Sequence, residues 1–157
     1  MNAKYFQFIF YVLRLGFPKL ANLSARWPLA QAVLESDSWR SPLYQTTNNM
    51  MGMMHPAARQ TASMGPNAKG FATYRSAWDS IRDILLYAEA FELYNDALYQ
   101  ARVFTKYAAD KTYGTKLTAI AASQASQLVS PAGFAAKTVG AVALGAVAVS
   151  VAKKALS

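Results

Sequence analysis

The chain contains no cysteine, which excludes a disulfide scaffold and a thiolate-based metal site. It has one histidine, His55, so neither a histidine-rich metal centre nor a Ser-His-Asp triad is expected, and a lone His in a methionine-rich loop reads as a packing residue. No metal and no cofactor is predicted. Acids are scarce, with 8 Asp and Glu against 16 Lys and Arg for a formal net charge of +8. All of them fall between Glu35 and Asp110, and residues 38–78 hold none. The first 34 residues and everything after Asp110 carry basic charges only. Basic ends suit an anionic partner such as a membrane surface or an acidic wall polymer. The cations are scattered and match no nucleic-acid-binding motif, so nucleic acid is not an expected partner. The N-terminal apolar run is short: residues 5–13, between Lys4 and Arg14, are too few to span a bilayer.

What is present amounts to one domain. A chain of 157 residues can bury a real core, and 54% hydrophobic residues is more than an average soluble domain carries. The run 5–13 meets Arg14, Gly16 and Pro18 rather than a small-residue cleavage site, so it reads as a helix or strand covering the core, with an interfacial anchor as the other reading. PKLANLSARW then predicts a helix opened by Pro18. PLAQAVLESDSW, residues 28–39, predicts a short helix with Pro28 in its first turn. Ala30, Val33 and Leu34 make its apolar stripe, Gln31 and Glu35 share a face, and a polar turn closed by Trp39 follows. A carboxyl at a helix end beside an aromatic ring is a route to a general acid, because desolvation favours its protonated form. A surface Glu in an ordinary amphipathic helix is the other reading of those residues.

Residues 40–78 contain Pro42, Pro56, Pro66, Gly52, Gly65 and Gly70 among many Ser, Thr and Asn. They predict loop with one hairpin, in which GFATYRS is a short strand and 55–70 its irregular partner. NNMMGMM, residues 48–54, reads as methionine core filling beside two amides available to a polar ligand. Tyr44, Phe71, Tyr74 and Trp78 are aromatic rings of the kind that hold sugars. Ser76 with Asp79, and Ser80 with Asp83, match capping patterns. Ile81, Ile84, Leu85, Ala88, Phe91 and Leu98 keep helical spacing, which predicts one amphipathic helix over 79–98 with Glu89, Glu92 and Asp96 on its solvated face. Further helices are predicted over 100–109 and 115–129.

LAQAVLES, NNMMGM, FATYRSAWDSIRDILLYAEAF and KYAADKTYGTKL, in that order, resemble the four landmarks of the glucosaminidase-type peptidoglycan hydrolases. These include the hydrolase domain of the flagellar rod muramidase and those of bacterial autolysins. The resemblance covers about residues 18–120. It implies a mainly α, lysozyme-like helical domain with a small irregular β-hairpin lobe and a glycan groove between them. By the same resemblance Glu35 falls on the catalytic acid and Tyr107 on the Tyr that supports catalysis. Asn49 and Gly52 fall on the cleft floor, and Asp110 and Tyr113 on the positions following Tyr107. Trp39 and Tyr74 complete the expected sugar contacts.

The chain departs from the family pattern where Gly-Trp-Gly after the acid is replaced by Asp37-Ser38-Trp39-Arg40, and where the aromatic pair of the second landmark becomes Asn48 and Met51. The β-lobe also offers no second carboxylate. Two-carboxylate hydrolysis needs a partner roughly 5–9.5 Å across the sugar, and Asp37, at i,i+2, points off the Glu35 face. Two single-acid routes follow: attack by the substrate's own 2-acetamido group, or lytic transglycosylation to an anhydro sugar. A catalytically weak or inactive structural protein, of a phage virion for example, that keeps the fold for wall binding is the alternative.

Residues 130–157 stand apart. TVGAVALGAVAVSVA, residues 138–152, is an uncharged run between Lys137 and Lys153. It predicts a C-terminal apolar helix of roughly 22 Å, short of a ~30 Å hydrocarbon core, with membrane or assembly anchoring through 134–156 favoured by its all-round apolarity. The expected domains are therefore 1–17, 18–129 and 130–157. The expected partners are peptidoglycan strands and a membrane or virion surface, and the expected location is membrane-associated, wall-facing or in a virion.

Overall fold

A computed structural model describes residues 1–106 and 109–124. Tyr107 and the whole run 125–157 lie outside the described residues, including the end of the helix predicted over 115–129 and the apolar run 138–152. Among the described residues the architecture is helical, with six α-helices and one two-stranded antiparallel sheet.

The N-terminal apolar run forms α1 (Ala3–Arg14), capped where the Asn2 carboxamide accepts from Tyr5 N. Phe6, Ile9 and Phe10 are fully buried in the main core, so this segment covers the core as a helix. Pro18 opens only a single 3-10 turn, Pro18–Leu20, where a full helix is expected over PKLANLSARW. The chain there is held extended instead: Arg14 Nη1 donates to Leu23 O at 2.6 Å, and Ser24 is taken by Asp96.

α2 (Arg26–Glu35) starts two residues before Pro28, which stays in the first turn where no N–H is required. Three of its residues, Leu29, Ala30 and Ala32, are fully buried, and it packs chiefly against α6 (Tyr113–Gln124). Its end is unusual: Asp37, Ser38 and Trp39 all have positive φ, at 47°, 52° and 71°. Left-handed backbone costs a non-glycine residue about 1–2 kcal/mol. Buried Ser36 offsets this, donating Oγ–H to Ala32 O at 2.6 Å while accepting from Trp39 N at 2.9 Å.

The stretch expected to be loop contains a helix, α3 (Pro42–Thr47), with Ser41 as N-cap and Pro42 in its first turn. The hairpin lies where predicted, β1 (Gly65–Pro66) pairing with β2 (Ala72–Thr73). The helix expected over 79–98 is two. α4 (Ala77–Ala90) begins at the Ser76–Asp79 cap, and α5 (Asp96–Lys106) begins after Asn95, whose side chain accepts from Leu98 N. Between them Glu92 takes φ 57° and Leu93 N returns to Ala88 O, a left-handed stop that apolar spacing does not reveal. Phe91 and Leu98 are therefore not core residues; they are 42% and 45% exposed. Ser80 is no cap either, being buried mid-helix with its hydroxyl near Met50 N.

Asp96 is not on a solvated face. Its two oxygens take Ser24 N and Ser24 Oγ at 2.8 and 2.7 Å, joining the start of α5 to the start of α2. Asp83, half of the expected second cap, is fully buried and paired with Arg59 through two bonds of 2.9 Å.

Candidate active site

Glu35 is the last residue of α2, half-buried, where the helix delivers its side chain toward α6. Tyr113, the first residue of α6, donates its hydroxyl to Glu35 Oε1 at 2.7 Å across 78 residues of sequence. One turn earlier Gln31 Oε1 accepts from Tyr99 of α5 at 3.0 Å. The shared face of Gln31 and Glu35 thus meets two tyrosines from two helices. Burial raises the Glu35 carboxyl above its ordinary range; the Tyr113 hydrogen bond and the charge of Lys106 offset part of this.

The other carboxylate oxygen faces Gly52. A Cβ placed on Gly52 would sit 3.7 Å from Glu35 Oε2, and the glycine has φ 59°. The preceding residues hold this turn in place. Asn49 is 1% exposed; its amide donates to Met53 O and Ala72 O at 2.8 and 2.9 Å and accepts from Met53 N at 3.0 Å. Asn48, in left-handed backbone, donates to Tyr74 O. The two amides expected to face a ligand are thus engaged with the loop itself, and Met50, Met51 and Met53 fill the core beneath it.

A groove of about 630 Å³ opens at Gly52 and runs along Met53 and Phe71 to Tyr87, Phe91 and Lys106. Its charged lining residues are Arg59 and Lys106, with no acid in the lining. Tyr87 and Phe91 pack at 4.7 Å, with Arg102 over the Phe91 ring at 4.4 Å. Apolar spacing assigns Phe91 to the core and gives no reason to single out Tyr87 or Lys106. What marks Tyr87 and Phe91 is their place at the helix stop, where a ring leaves the core face, and Lys106 reaches the groove from the end of α5. A second groove, of about 610 Å³, is lined by Phe104, Gly114 and Thr118 and touches neither Glu35 nor Gly52.

The remaining expected site residues lie elsewhere. The Trp39 ring packs on Phe6 and Tyr44, at 6.3 and 5.9 Å, so the aromatic group that meets Glu35 is Tyr113. Tyr74 is 2% exposed and donates to Asp83 Oδ2 at 2.7 Å, inside the fold. Asp110 is exposed at the start of α6, accepting from Thr112 N and Oγ1 and pairing with Lys116. Tyr107 lies outside the described residues.

The other acids have partners of their own or lie at a helix end. Asp37 pairs with Arg40 at the surface, Asp79 with Ser76, Asp83 with Arg59 and Asp96 with Ser24. Glu89 and Glu92 lie at the end of α4. Among the described residues no group of three His, Asp, Glu or Cys side chains converges as a metal site would need.

Residues 19–126 match the glucosaminidase family, described as mannosyl-glycoprotein endo-beta-N-acetylglucosaminidase. The chain belongs to that family. Its fold is similar to that of the catalytic domain of the autolysin Auto from Listeria monocytogenes, with TM-score 0.50 and 23% identity over 78% of this chain and 85% of that one. No curated protein matches the sequence. The lysozyme-like, mainly helical fold implied by the four landmarks is therefore the fold observed, and the family match extends over all four of them.

Proposed function

We propose that this glucosaminidase-family chain cleaves the β-1,4-linked amino-sugar backbone of peptidoglycan, with Glu35 as its general acid. The observation that carries the reading is the environment of one carboxyl. The Glu35 carboxyl is raised by burial, held at Oε1 by Tyr113, and faced at Oε2 by Gly52, which lines a groove with aromatic walls. Family membership and the likeness to an autolysin catalytic domain support a wall glycan as substrate.

In the mechanism that fits, Glu35 donates its proton to the glycosidic oxygen, the C1–O bond breaks, and the leaving sugar departs as an alcohol. Asp37, Asp79, Asp83, Asp96 and Asp110 are each engaged with partners of their own among the described residues, so in this reading the electron pair that relieves C1 comes from the substrate's own 2-acetamido carbonyl oxygen. Glu35, now ionised, takes a proton either from water, giving hydrolysis, or from the sugar's C6 hydroxyl, giving a 1,6-anhydro end. Tyr113 keeps the carboxyl aimed throughout and stabilises its ionised form.

Clearing of purified peptidoglycan in a gel by the native chain, and its loss in Glu35→Gln, is the expected result. Equal clearing by both would remove Glu35 from catalysis. No clearing by either, with binding to the wall retained, would favour the structural, wall-binding alternative. Mass spectrometry of the released muropeptides identifies the bond and separates a reducing end from an anhydro end.

The part of the chain that would hold it at a surface lies in 134–156, outside the described residues. Among the described residues no helix is long and apolar enough to cross a membrane. A truncation after Val129 that fractionates as the full chain does would remove this anchoring role.

A further inference from the structure

The hydroxyl of Ser63 lies among four polar atoms. Its oxygen is 3.0 Å from Gly65 O, 3.1 Å from Thr73 O, 3.1 Å from Gly65 N and 3.1 Å from His55 Nδ1. Two of these are carbonyl oxygens, which only accept, and Gly65 N only donates. A serine hydroxyl carries a single proton. If that proton went to His55, two carbonyl oxygens would face the Ser63 oxygen with no hydrogen between them. The proton therefore serves the carbonyls, and His55 Nδ1 is the donor to Ser63. In a neutral imidazole with its hydrogen on Nδ1, Nε2 is an acceptor. The network thus assigns the tautomer.

The backbone of His55 is held as well. Its N–H donates to Gly70 O at 2.9 Å, and the adjoining Met54 bridges to Phe71. His55 lines the same groove as Gly52, the residue that faces Glu35 Oε2. Its Nε2 has no hydrogen-bond partner among the described residues and is not a buried atom.

The rest of the groove is poor in acceptors, and that gives this nitrogen its use. Arg59 and Lys106 only donate, and the Met, Pro, Ala and Phe side chains of the lining offer no oxygen or nitrogen. Among the described lining residues the side-chain oxygen and nitrogen acceptors are His55 Nε2 and the Tyr87 hydroxyl. The Tyr87 oxygen already takes Arg102 Nε at 3.5 Å. A sugar brings hydroxyl and acetamide hydrogens that water satisfies in solution, and burying them unpaired is costly.

We propose that His55 is a substrate-binding residue of the groove, its Nε2 accepting a hydrogen bond from a hydroxyl or acetamide N–H of the amino-sugar chain. Ser63 acts through it as a positioning residue, fixing both the ring and its tautomer. The identity of the ligand rests on the glycosidase reading; the tautomer does not.

His55 is the only histidine, so nitrogen-15 labelling of histidine reports on this one ring. The full-length Glu35→Gln variant, which on the same reading holds glycan uncut, is recorded at about pH 8, above the ordinary range of an imidazole. Nδ1 is expected to appear as the protonated nitrogen and Nε2 as the unprotonated one. A hexamer of β-1,4-linked N-acetylglucosamine should move the Nε2 signal upfield and leave Nδ1 nearly still. Two substitutions in the same background separate binding from support. His55→Asn keeps an N–H for Ser63 but has no atom at the Nε2 position; it should weaken hexamer binding roughly threefold to tenfold in calorimetry, with melting temperature little changed. His55→Gln places an amide oxygen near the Nε2 position and gives up the Ser63 bond; it should keep most of the affinity at a lower melting temperature. A histidine that only supports the loop would give the reverse order of affinities, which would overturn the proposal. So would protonation at Nε2 instead of Nδ1, or hexamer binding with Nε2 unmoved, and all three leave the glycosidase reading standing. Failure of the native chain and of every variant to bind the hexamer would count against the glycan reading itself and bring this proposal down with it.

Discussion

Glu35 and Tyr113 are 78 residues apart in sequence and 2.7 Å apart in space. Glu35 stands out in sequence as a candidate acid from its helix-end position and from the landmarks that follow it. Its partner is not legible as a partner, because only the packing of α2 on α6 makes the pair. The signs of its titration are testable. The Tyr113 hydroxyl lowers the Glu35 pKa against the rise imposed by burial, so Tyr113→Phe should raise it further. The alkaline limb of the pH–rate profile should move to higher pH, while the maximal rate falls roughly tenfold or more as the carboxyl loses its aim. A limb that moves to lower pH would contradict this assignment. The same carboxyl sets a stability signature. Its folded pKa lies above the ordinary 4.5, so its contribution is fully present below that value and is lost as pH rises through the raised pKa. Glu35→Gln should therefore gain melting temperature over the wild type above that window and show no gain below it, as scanning calorimetry across pH would reveal. Gly52 adds a steric test, since Gly52→Ala sets a methyl against Oε2 in a backbone of φ 59°, at a cost of about 1–2 kcal/mol.

At the scale of elements, the β-hairpin lobe is fastened to α4 by one buried knot. Asp83 is fully buried, and burial alone would raise its pKa. Bonds from Arg59, Tyr74 and Thr61 together outweigh that and hold it below the ordinary carboxylate range. The Arg59 side chain is 13% exposed, so each charge depends on the other. Asp83→Asn should destabilise the fold by about 3–5 kcal/mol in urea titration, by leaving that guanidinium unpaired. Tyr74→Phe should cost about 1–3 kcal/mol. In both, amide exchange over 53–73 should quicken before the helices loosen. None of this knot shows in sequence, where Tyr74 reads as a sugar-stacking ring and Asp83 as a cap. The helices with strong apolar period were readable; α3 was hidden by Pro and Thr content, though Ser41-Pro42 is its start signal. The stop at Glu92 was hidden because apolar residues continue in phase across it, and only the backbone conformation ends the helix.

Over the whole molecule, net charge and apolar surface are distributed unequally. The groove that opens at Gly52, the residue facing Glu35, has no acidic lining, and the ends of the chain carry cations without acids. Retention on purified wall polymer should therefore fall as sodium chloride is raised beyond physiological strength, with the catalytic step on a short neutral glycan much less affected. Salt-insensitive retention would mean that the wall is held by apolar contacts instead. The excess of apolar residues, conspicuous in composition, is in part accounted for by α1, whose Phe6, Ile9 and Phe10 are fully buried in the core.

The order in which this chain is made gives the Glu35–Tyr113 bond a temporal meaning. Synthesis delivers the acid before its tyrosine, which follows only after the hairpin lobe and two further helices. Until α6 has left the ribosome and docked on α2, the carboxyl has neither the enclosure that shifts it nor the hydroxyl that aims it. On the proposed reading, a polypeptide that stops short of α6 is therefore expected to be inert, however complete its hairpin lobe.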